Sequence, residues 1–314
     1  CAHGSTTENN PFESALDCGA CGGNEGKPNA RVLAAMANRP PVRERLAKRG
    51  IEIPSDTHFL AGQVDTTTDE VHLFDLEDAP PTHRKDVARL YDDLREAAQL
   101  TSQERCSRFP DVRTVLPLNQ ASAHVAGRSA DWSQVRPEWG LSGNTTFIIG
   151  RRELTKGLNL AGRVFLHSYD YREDPTDRWL EVLLTAPQVV AQWINMEHYF
   201  SAVDNEVYGS GSKIYHNVVG RIGIMSGPWS DLRLGLARQT VLNDDLPSPE
   251  PMRLLPLVET PRPRIEQLIA RHEVLQHFYH NEWVHLAALD PEDGIWYRYM
   301  PSGVWRRVRN PSDT

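Results

Sequence analysis

Three thiols and an imidazole lie within the first 21 residues of the chain: Cys1, His3, Cys18 and Cys21. Zinc binds thiolate and imidazole groups in a tetrahedron, and His3 and Cys18 are far enough apart for a loop that returns to the strand carrying His3. The glycines of the run CGACGG let the backbone approach a ligand closely. The spacing therefore indicates metal or redox chemistry near the start of the chain.

Three other interpretations of these residues stay open on spacing alone. Cys18 and Cys21 form a Cys-x-x-Cys pair of the kind that thiol redox proteins use. Cys1, His3, Cys18 and Cys21 together could form a closed structural zinc site. The thiols could also be buried as small apolar side chains. A second Cys-x-x-Cys, which would make the zinc interpretation strong, does not occur in the sequence.

The elements that must position these groups alternate between helices and strands. Helical patterns cover 28–38, 41–49, 82–108, 177–184, 188–203 and 265–279, and strand patterns cover 58–64, 70–74, 145–149, 163–169, 217–225 and 253–259. The stretch from Pro117 to Gly143 has the composition of a loop, and 283–308 has the pattern of short strands. The alternation predicts an α/β layered fold.

Composition and charge exclude several classes of protein. A chain of 314 residues with 39% hydrophobic residues and a mean hydropathy of -0.50 is typical of a folded globular protein. The longest uncharged apolar run, 182–196, contains a proline and is shorter than the roughly 20 residues of a membrane span. A net charge of -8 argues against a nucleic-acid backbone as partner. We therefore expect neither membrane insertion nor nucleic-acid binding.

The remaining polar candidates give weaker signals. The run from Gly209 to Lys213 lacks the spacing of a phosphate loop and is more typical of a tight turn. Side chains of the helix 188–203 could line a substrate route, but they also fit a satisfied helical core. Those side chains are Trp193, Asn195, His198 and, near the end of the helix, Asp204, and the same ambiguity applies to His167 and His216. The histidines between 272 and 285 have no thiolate nearby and are typical of helix surface and loop.

Long blocks of the sequence resemble one protein family. The run AHGSTTENNPFESALDCGACGGNEGKPNARV (2–32) closely resembles a segment of the DabA family, the soluble subunit of energy-coupled inorganic-carbon transporters of bacteria and archaea, related to the β-carbonic anhydrases. Further blocks match in order: VRPEWGL (135–141), GRVFLHSYD (162–170), TAPQVVAQWINMEHYFSAVDNEVYGSGSK (185–213) and HNVVG (216–220). The hairpin at 59–74 is also similar to the glycine-containing strand pair that follows the metal loop in β-carbonic anhydrases.

The resemblance implies a zinc site with His3 and Cys18 as ligands and Cys21 as a neighbour. In the family, the other two ligands are a Cys and an Asp from an upstream Cys-x-Asp-x-Arg strand, a motif that is absent from this sequence. The resemblance therefore implies that residues 1–80 are the second half of a β-carbonic-anhydrase-like zinc unit and that 81–314 form an α/β carboxy-terminal region. We expect the chain to be the carboxy-terminal part of a longer subunit and to be inactive alone.

The resemblance also implies a function. It is hydration of carbon dioxide to bicarbonate, coupled to an integral membrane proton-translocating subunit of the DabB type. The chain would be peripheral, on the cytoplasmic side of the inner membrane. Two other functions stay open: a non-catalytic docking subunit stabilised by zinc, and a thiol redox protein that uses Cys18 and Cys21.

Overall fold

The computed structural model describes residues 1–6, 17, 21, 24–109, 111–131, 143, 145–209, 218–219, 222–223, 225–226, 231–232, 235–236, 241–243 and 245–309. Helices and strands alternate in these residues, which confirms the predicted α/β class. The chain divides into two compact units, Cys1–Gly140 with Gly211–Asp244, and Leu141–Ser210 with Asp245–Thr314. The family resemblance predicted a different division, into a β-carbonic-anhydrase-like half at 1–80 and a carboxy-terminal region at 81–314. That division stays a prediction.

A three-stranded sheet forms the centre of the first unit. Its strands are β1 (Ala2–Gly4), β2 (Ala61–Asp65) and β3 (Val71–Phe74), in that order across the sheet. β1 pairs with β2 in parallel, with His3 beside Val64, and β2 pairs with β3 in the antiparallel direction. The predicted hairpin is therefore confirmed. Its tight turn allows the antiparallel pairing, whereas β1 reaches β2 through the long segment between them.

The first unit has four helices: α1 (Lys27–Ala37), α2 (Pro40–Ala47), α3 (Arg84–Cys106) and α4 (Leu118–Ser129). Pro28 lies in the first turn of α1, where a missing N–H leaves no helical hydrogen bond unmade. α1 packs on β1 and β2. α3 packs on α4 around a small apolar cluster: Cys106, Phe109, Ala121 and Val125.

The loop expected after residue 117 is wrong, because α4 begins at Leu118. Pro117 precedes the helix with an extended backbone, so the residue that suggested a loop marks a helix start. Ala121 and Val125 are four residues apart on the buried face of α4.

The shorter elements of this unit are the 3-10 helices Leu76–Asp78 and Pro81–His83 and the strands Val218–Val219, Ile222–Gly223, Met225–Ser226, Asp231–Leu232 and Leu242–Asn243.

A six-stranded sheet forms the centre of the second unit. Its strands are β4 (Thr146–Gly150), β5 (Val164–Ser168), β6 (Leu255–Glu259), β7 (Ala287–Asp290), β8 (Ile295–Tyr299) and β9 (Trp305–Arg307). The order across the sheet is β9-β8-β7-β6-β4-β5. The strands β5, β4, β6 and β7 are parallel, whereas β8 and β9 extend the sheet in the antiparallel direction.

The helices of the second unit cover a large apolar core. They are α5 (Arg178–Thr185), α6 (Pro187–Tyr208), α7 (Arg262–Arg271) and α8 (Glu273–His280), and the shorter elements are the 3-10 helices Arg152–Leu154 and Tyr171–Glu173 and the strand Leu246–Pro247. Leu180 and Leu184 of α5, Ile265 of α7 and Val258 of β6 have no exposed surface. The predicted end of α6 near residue 203 coincides with a kink at Asp204.

The single helix predicted over 265–279 is wrong, because two helices meet at His272. This residue has an extended backbone, with φ -120° and ψ 109°. Its ring Nε2 lies 2.7 Å from Glu181 Oε1 of α5, which holds the junction in place. Both helices still direct their apolar residues to the core, so the hydrophobic pattern continues across the break. Within the described ranges, no helix has the length and apolar content of a membrane span.

Candidate functional site

His3 lies in the middle of β1 and has an unused ring nitrogen. Its Nδ1 atom is buried and, among the described residues, has no hydrogen-bond partner. The backbone at His3 is held on two sides, by the parallel pairing with Val64 and by the N–H of Gly26, which donates to the His3 carbonyl at 2.9 Å. A buried nitrogen without a partner is costly, and an imidazole nitrogen is a good zinc ligand. The position therefore suits a metal ligand.

Cys18 lies outside the described residues, but its neighbour Asp17 is described. The hydroxyl of Ser5 donates to Asp17 Oδ1 at 3.0 Å, and Ser5 is only 5% exposed. Burial raises the pKa of the Asp17 carboxyl, and hydrogen bonds from Ser5 oppose that shift. This link ties the residue before Cys18 to the strand that carries His3.

A buried network of polar groups fixes the end of that strand. Thr67 Oγ1 lies 2.8 Å from both the carbonyl oxygen of Thr6 and Oδ1 of Asp65. The Asp65 carboxylate also accepts the backbone N–H groups of Thr67 and Thr68, at 2.9 and 3.0 Å. The Thr66 N–H donates to the Gly4 carbonyl at 2.8 Å. The sequence DTTTD, predicted as turn chemistry, therefore also holds β1 in place.

The thiols of Cys1 and Cys21, near the start of the chain, have contacts of their own. Cys21 Sγ accepts a hydrogen bond from Asn29 in the first turn of α1, at 3.2 Å. Cys1 is exposed, and its thiol lies 3.4 Å from the Ala2 carbonyl. In the part of the chain that the structure describes, no three His, Cys, Asp or Glu side chains gather as a metal site would require. The described members of the closed four-residue site are therefore not assembled.

The donor groups of this segment fit zinc in kind. Zinc is held by imidazole nitrogen and thiolate sulfur, which are the groups that His3 and Cys18 carry. The buried, unpartnered Nδ1 of His3 is the observation that supports the fit. Two ligands leave a tetrahedral site half filled, so the remaining donors have to come from other residues.

Sequence reasoning missed the residues that support the site. Ser5 and Asp17 gave no signal because their pairing depends on how the loop between them returns. The Asp69–Arg105 pair was missed for a similar reason, since Arg105 Nη2 reaches Asp69 Oδ1 at 2.6 Å from a distant helix. Among these residues, the only usable sequence signal was that Asp17 directly precedes Cys18.

Two other histidines considered from the sequence, His167 and His198, also have a buried ring nitrogen without a hydrogen-bond partner among the described residues. His198 is 1% exposed within α6, and burial lowers its pKa to about 4. The His167 ring stacks on Phe147 with 4.0 Å between the centroids, and burial lowers its pKa as well. His216 lies outside the described residues, as do most residues of the predicted turn at 209–213. His280 Nε2 lies 3.2 Å from the Tyr299 hydroxyl.

Comparison with known proteins gives consistent matches. A family model described as "Probable inorganic carbon transporter subunit DabA" matches residues 1–284. Relatives with the same description include proteins of Thiobacillus denitrificans (53% identical, 97% of this chain, 30% of the relative), Aquifex aeolicus (51%, 98% and 30%) and Legionella pneumophila strain Lens (48%, 98% and 40%). The chain thus spans 30–40% of the length of these relatives. No solved structure matches.

Proposed function

Because the chain belongs to the DabA family, we propose that it forms part of an inorganic-carbon transporter and contributes to zinc-dependent hydration of carbon dioxide to bicarbonate. The observation that carries the proposal is the buried, unpartnered Nδ1 of His3 on a strand tied through Ser5 to the neighbour of Cys18. The description of the curated relatives as transporter subunits supports the transport role.

In the proposed site, His3 and Cys18 hold zinc together with a Cys and an Asp from outside this chain. Zinc, when bound, supplies Lewis-acid activation of water for attack on carbon dioxide. The residues of this chain position the ligands. β2 fixes the backbone of His3, and the network at Asp65 prevents the end of β1 from moving. Because His3 is already fixed, zinc binding would cost little conformational entropy in ordering its side chain.

The proposal includes a membrane partner. The word subunit in the names of the relatives supports a multi-subunit assembly. A helix that could span a membrane is absent from the described parts of this chain, so in this proposal a second, integral membrane subunit of the DabB type supplies the proton-translocating path. The chain is then peripheral, on the cytoplasmic side of the inner membrane.

The test replaces each predicted ligand in the full-length protein. His3→Ala or Cys18→Ala should remove zinc and carbon uptake together, because a three-ligand remnant holds the metal far more weakly. Cys21→Ala is the matched control and should keep zinc, since its thiol contacts Asn29. Elemental analysis gives the zinc content, and uptake of labelled bicarbonate gives the activity.

The two alternative functions predict different results for these variants and for oxygen-isotope exchange by the wild-type complex. A docking subunit stabilised by zinc would lose zinc in both ligand variants, but the wild-type complex would show no oxygen-isotope exchange between carbon dioxide and water above the uncatalysed rate. A thiol redox protein would lose its activity with Cys21→Ala. Full zinc content in His3→Ala would contradict the proposed site itself.

A further inference from the structure

The strand β9 forms one edge of the six-stranded sheet in the second unit. In the described part of the chain it pairs only with β8, where Arg306 lies opposite Arg298 and Arg307 lies opposite Tyr297. The side of β9 that faces away from β8, here called the open edge, therefore has no strand beside it among the described residues. An exposed strand edge carries N–H and C=O groups that another extended segment can bind.

The backbone of Arg307 belongs to this open edge. The Val308 N–H donates to the Trp296 carbonyl at 2.8 Å, and the Met300 N–H donates to the Val304 carbonyl at 2.9 Å. In an antiparallel pair, positions that bond the neighbouring strand alternate with positions that do not. Because Val304 and Val308 bond β8, Arg307 directs its N–H and C=O away from β8.

Three arginines lie along the open edge: Arg306, Arg307 and Arg309. All three are exposed, and none forms a hydrogen bond or an ion pair within the described residues. The Asp293 carboxylate is near enough to interact with the charge of Arg307, but it accepts the Tyr297 hydroxyl at 2.7 Å. The whole chain has 34 basic and 42 acidic residues, so this basic run is opposite in sign to the net charge of the chain.

Exposed apolar side chains flank Arg306 on one face of the sheet. Val304 is 57% exposed and Val308 is 47% exposed. Alternate side chains of a strand share a face, so both valines lie on the same face as Arg306. β-Branched side chains of this kind pack well against the side chains of a neighbouring strand.

We propose that the open edge of β9 binds an acidic extended segment of a second protein. The segment would pair with the backbone of Arg307 and place carboxylates beside the three arginines, which is a common mode of peptide recognition at sheet edges. A second copy of this chain fits the edge poorly, because pairing two β9 strands would bring arginines against arginines. Arginines on an edge also discourage aggregation, so the test has to distinguish attraction of a partner from protection of the edge.

The first measurement uses the 314-residue chain and a short capped peptide of alternating glutamate and valine as the probe. Arg306→Gln with Arg307→Gln should weaken peptide binding by roughly 3- to 10-fold, because exposed charge pairs contribute modestly. Added salt should weaken binding to the wild type. Arg45→Gln with Arg49→Gln is the matched control, because it removes the same charge from exposed side chains in the first unit. It should leave the affinity unchanged.

The second measurement follows the backbone by amide hydrogen exchange. The Arg307 N–H should exchange rapidly in the free chain and slowly when the peptide is bound. The Val308 N–H already bonds Trp296 and should be protected in both states. Arg307→Pro removes the outward N–H without removing a bond to β8, and it should weaken peptide binding by about 5-fold or more. Protection of Val308 in this variant shows that the β8–β9 pair is intact.

Four results would overturn the proposal. Absence of binding at about 1 mM peptide would show that the arginines only protect the edge. Equal binding of a peptide that carries the same charge but has proline in place of valine would show attraction without strand pairing. Dimerisation that Arg307→Pro abolishes would assign the edge to a second copy, and displacement of the peptide by phosphatidylserine vesicles would assign it to lipid. The zinc content of the variants should equal that of the wild type, so the proposed function is tested separately.

Discussion

His198 is an uncharged histidine buried in the helical layer of the second unit. It is 1% exposed, a hydrogen bond joins it to the backbone of Ser248, and burial lowers its pKa to about 4. At neutral pH the side chain is therefore neutral. Its Nε2 atom has no hydrogen-bond partner among the described residues. Protonating the ring would place a positive charge at a buried position, where it also meets the charge of Arg163.

The folded protein should therefore lose stability in mild acid. The folded pKa of about 4 lies below the ordinary value of 6.5, so stability present above pH 6.5 is lost as the pH falls toward 4. Between pH 7 and pH 5 we expect this group to lower the free energy of unfolding by about 2 kcal/mol. Urea titrations of wild type and His198→Gln measure the difference. The exposed variant His277→Gln is the control, and an identical pH dependence in His198→Gln would contradict the expectation.

At the residue scale, candidate metal ligands could be predicted from the sequence. The residues that hold them in place could not. His3 and Cys18 were predicted as ligands from the family resemblance, and their assignment stays a prediction; residue type and spacing alone left zinc, redox and packing interpretations open. Asn195 and His198 are buried, at 2% and 1% exposure, whereas Trp193 is 64% exposed, and the choice between a satisfied core and a substrate route stays a prediction. Ser5 and Asp17 could not be found, because a serine and an aspartate are common and only the path of the loop brings them together.

At the scale of elements, a buried ion pair attaches α3 to the turn between β2 and β3. Arg105 Nη2 bonds Asp69 Oδ1 at 2.6 Å, and Arg105 Nη1 bonds the Thr66 carbonyl at 3.0 Å. Ser102 Oγ lies 3.3 Å from the other carboxylate oxygen. Burial raises the pKa of Asp69, and the charge of Arg105 opposes that shift. The pair connects the longest helix of the first unit to the strand pair beside His3.

Arg105→Met should lower the free energy of unfolding by roughly 3 kcal/mol, because it leaves the buried Asp69 carboxylate unpaired. Adding Asp69→Asn should recover part of the loss, since the amide carries no charge. Arg95→Ala is the matched control: Arg95 pairs with Asp92 on the exposed surface of the same helix, and its loss should cost less than about 1 kcal/mol. Chemical unfolding measures all three. Equal losses in Arg105→Met and Arg95→Ala would show that burial of the pair has no energetic effect.

A glycine at the end of β4, Gly150, lies where β6 approaches closely. A Cβ at Gly150 would lie 3.1 Å from both Glu259 Cβ and Leu154 Cδ1. Gly150→Ala should therefore destabilise the protein by about 1–3 kcal/mol. Gly127→Ala in α4 is the opposite case, because a Cβ there meets nothing within 4 Å, and it should stabilise by roughly 0.5–1 kcal/mol. Thermal unfolding of the two variants should give shifts of opposite sign, and shifts of the same sign would contradict this explanation.

Sequence patterns predicted best those elements in which one simple pattern of apolar residues or turn residues marks the whole element. β4 and β6 are short apolar runs, and the hairpin is marked by its turn residues. The break at His272 could not be predicted, because the apolar residues of α7 and α8 continue in one helical pattern and the contact with Glu181 comes from a distant helix. α4 was missed because Pro117 is compatible with both a loop and the start of a helix.

At the scale of the whole molecule, the chain corresponds to only part of the length of its relatives. It spans 30–40% of the length of its curated relatives, and its sequence lacks the Cys-x-Asp-x-Arg motif that the family resemblance assigns to the other ligand pair. A net charge of -8 adds no attraction to anionic lipid. Attachment to a membrane would then depend on a specific protein partner rather than on lipid.

The 314-residue chain expressed alone should not hydrate carbon dioxide. Of the four ligands that the family resemblance implies, it contains only His3 and Cys18, and the described neighbours Cys1 and Cys21 are not gathered around His3. Stopped-flow measurement with a pH indicator, with and without added zinc, should give the uncatalysed rate. Full-length protein assembled with the proposed membrane partner is the positive control. Hydration above background by the chain alone would show that the missing ligands are dispensable.

The parallel pairing of β1 with β2 sets an order of events during synthesis. The neighbour of His3 in the sheet is Val64, so β1 has no sheet partner until residues 61–65 have left the ribosome. Long-range parallel pairing of this kind forms late, because the intervening chain must first be closed into a loop. The hairpin supplies neither His3 nor Cys18, and yet the strand pairing that fixes the backbone of His3 does not exist before the hairpin does. In the proposed site, firm zinc binding therefore waits for translation of the hairpin.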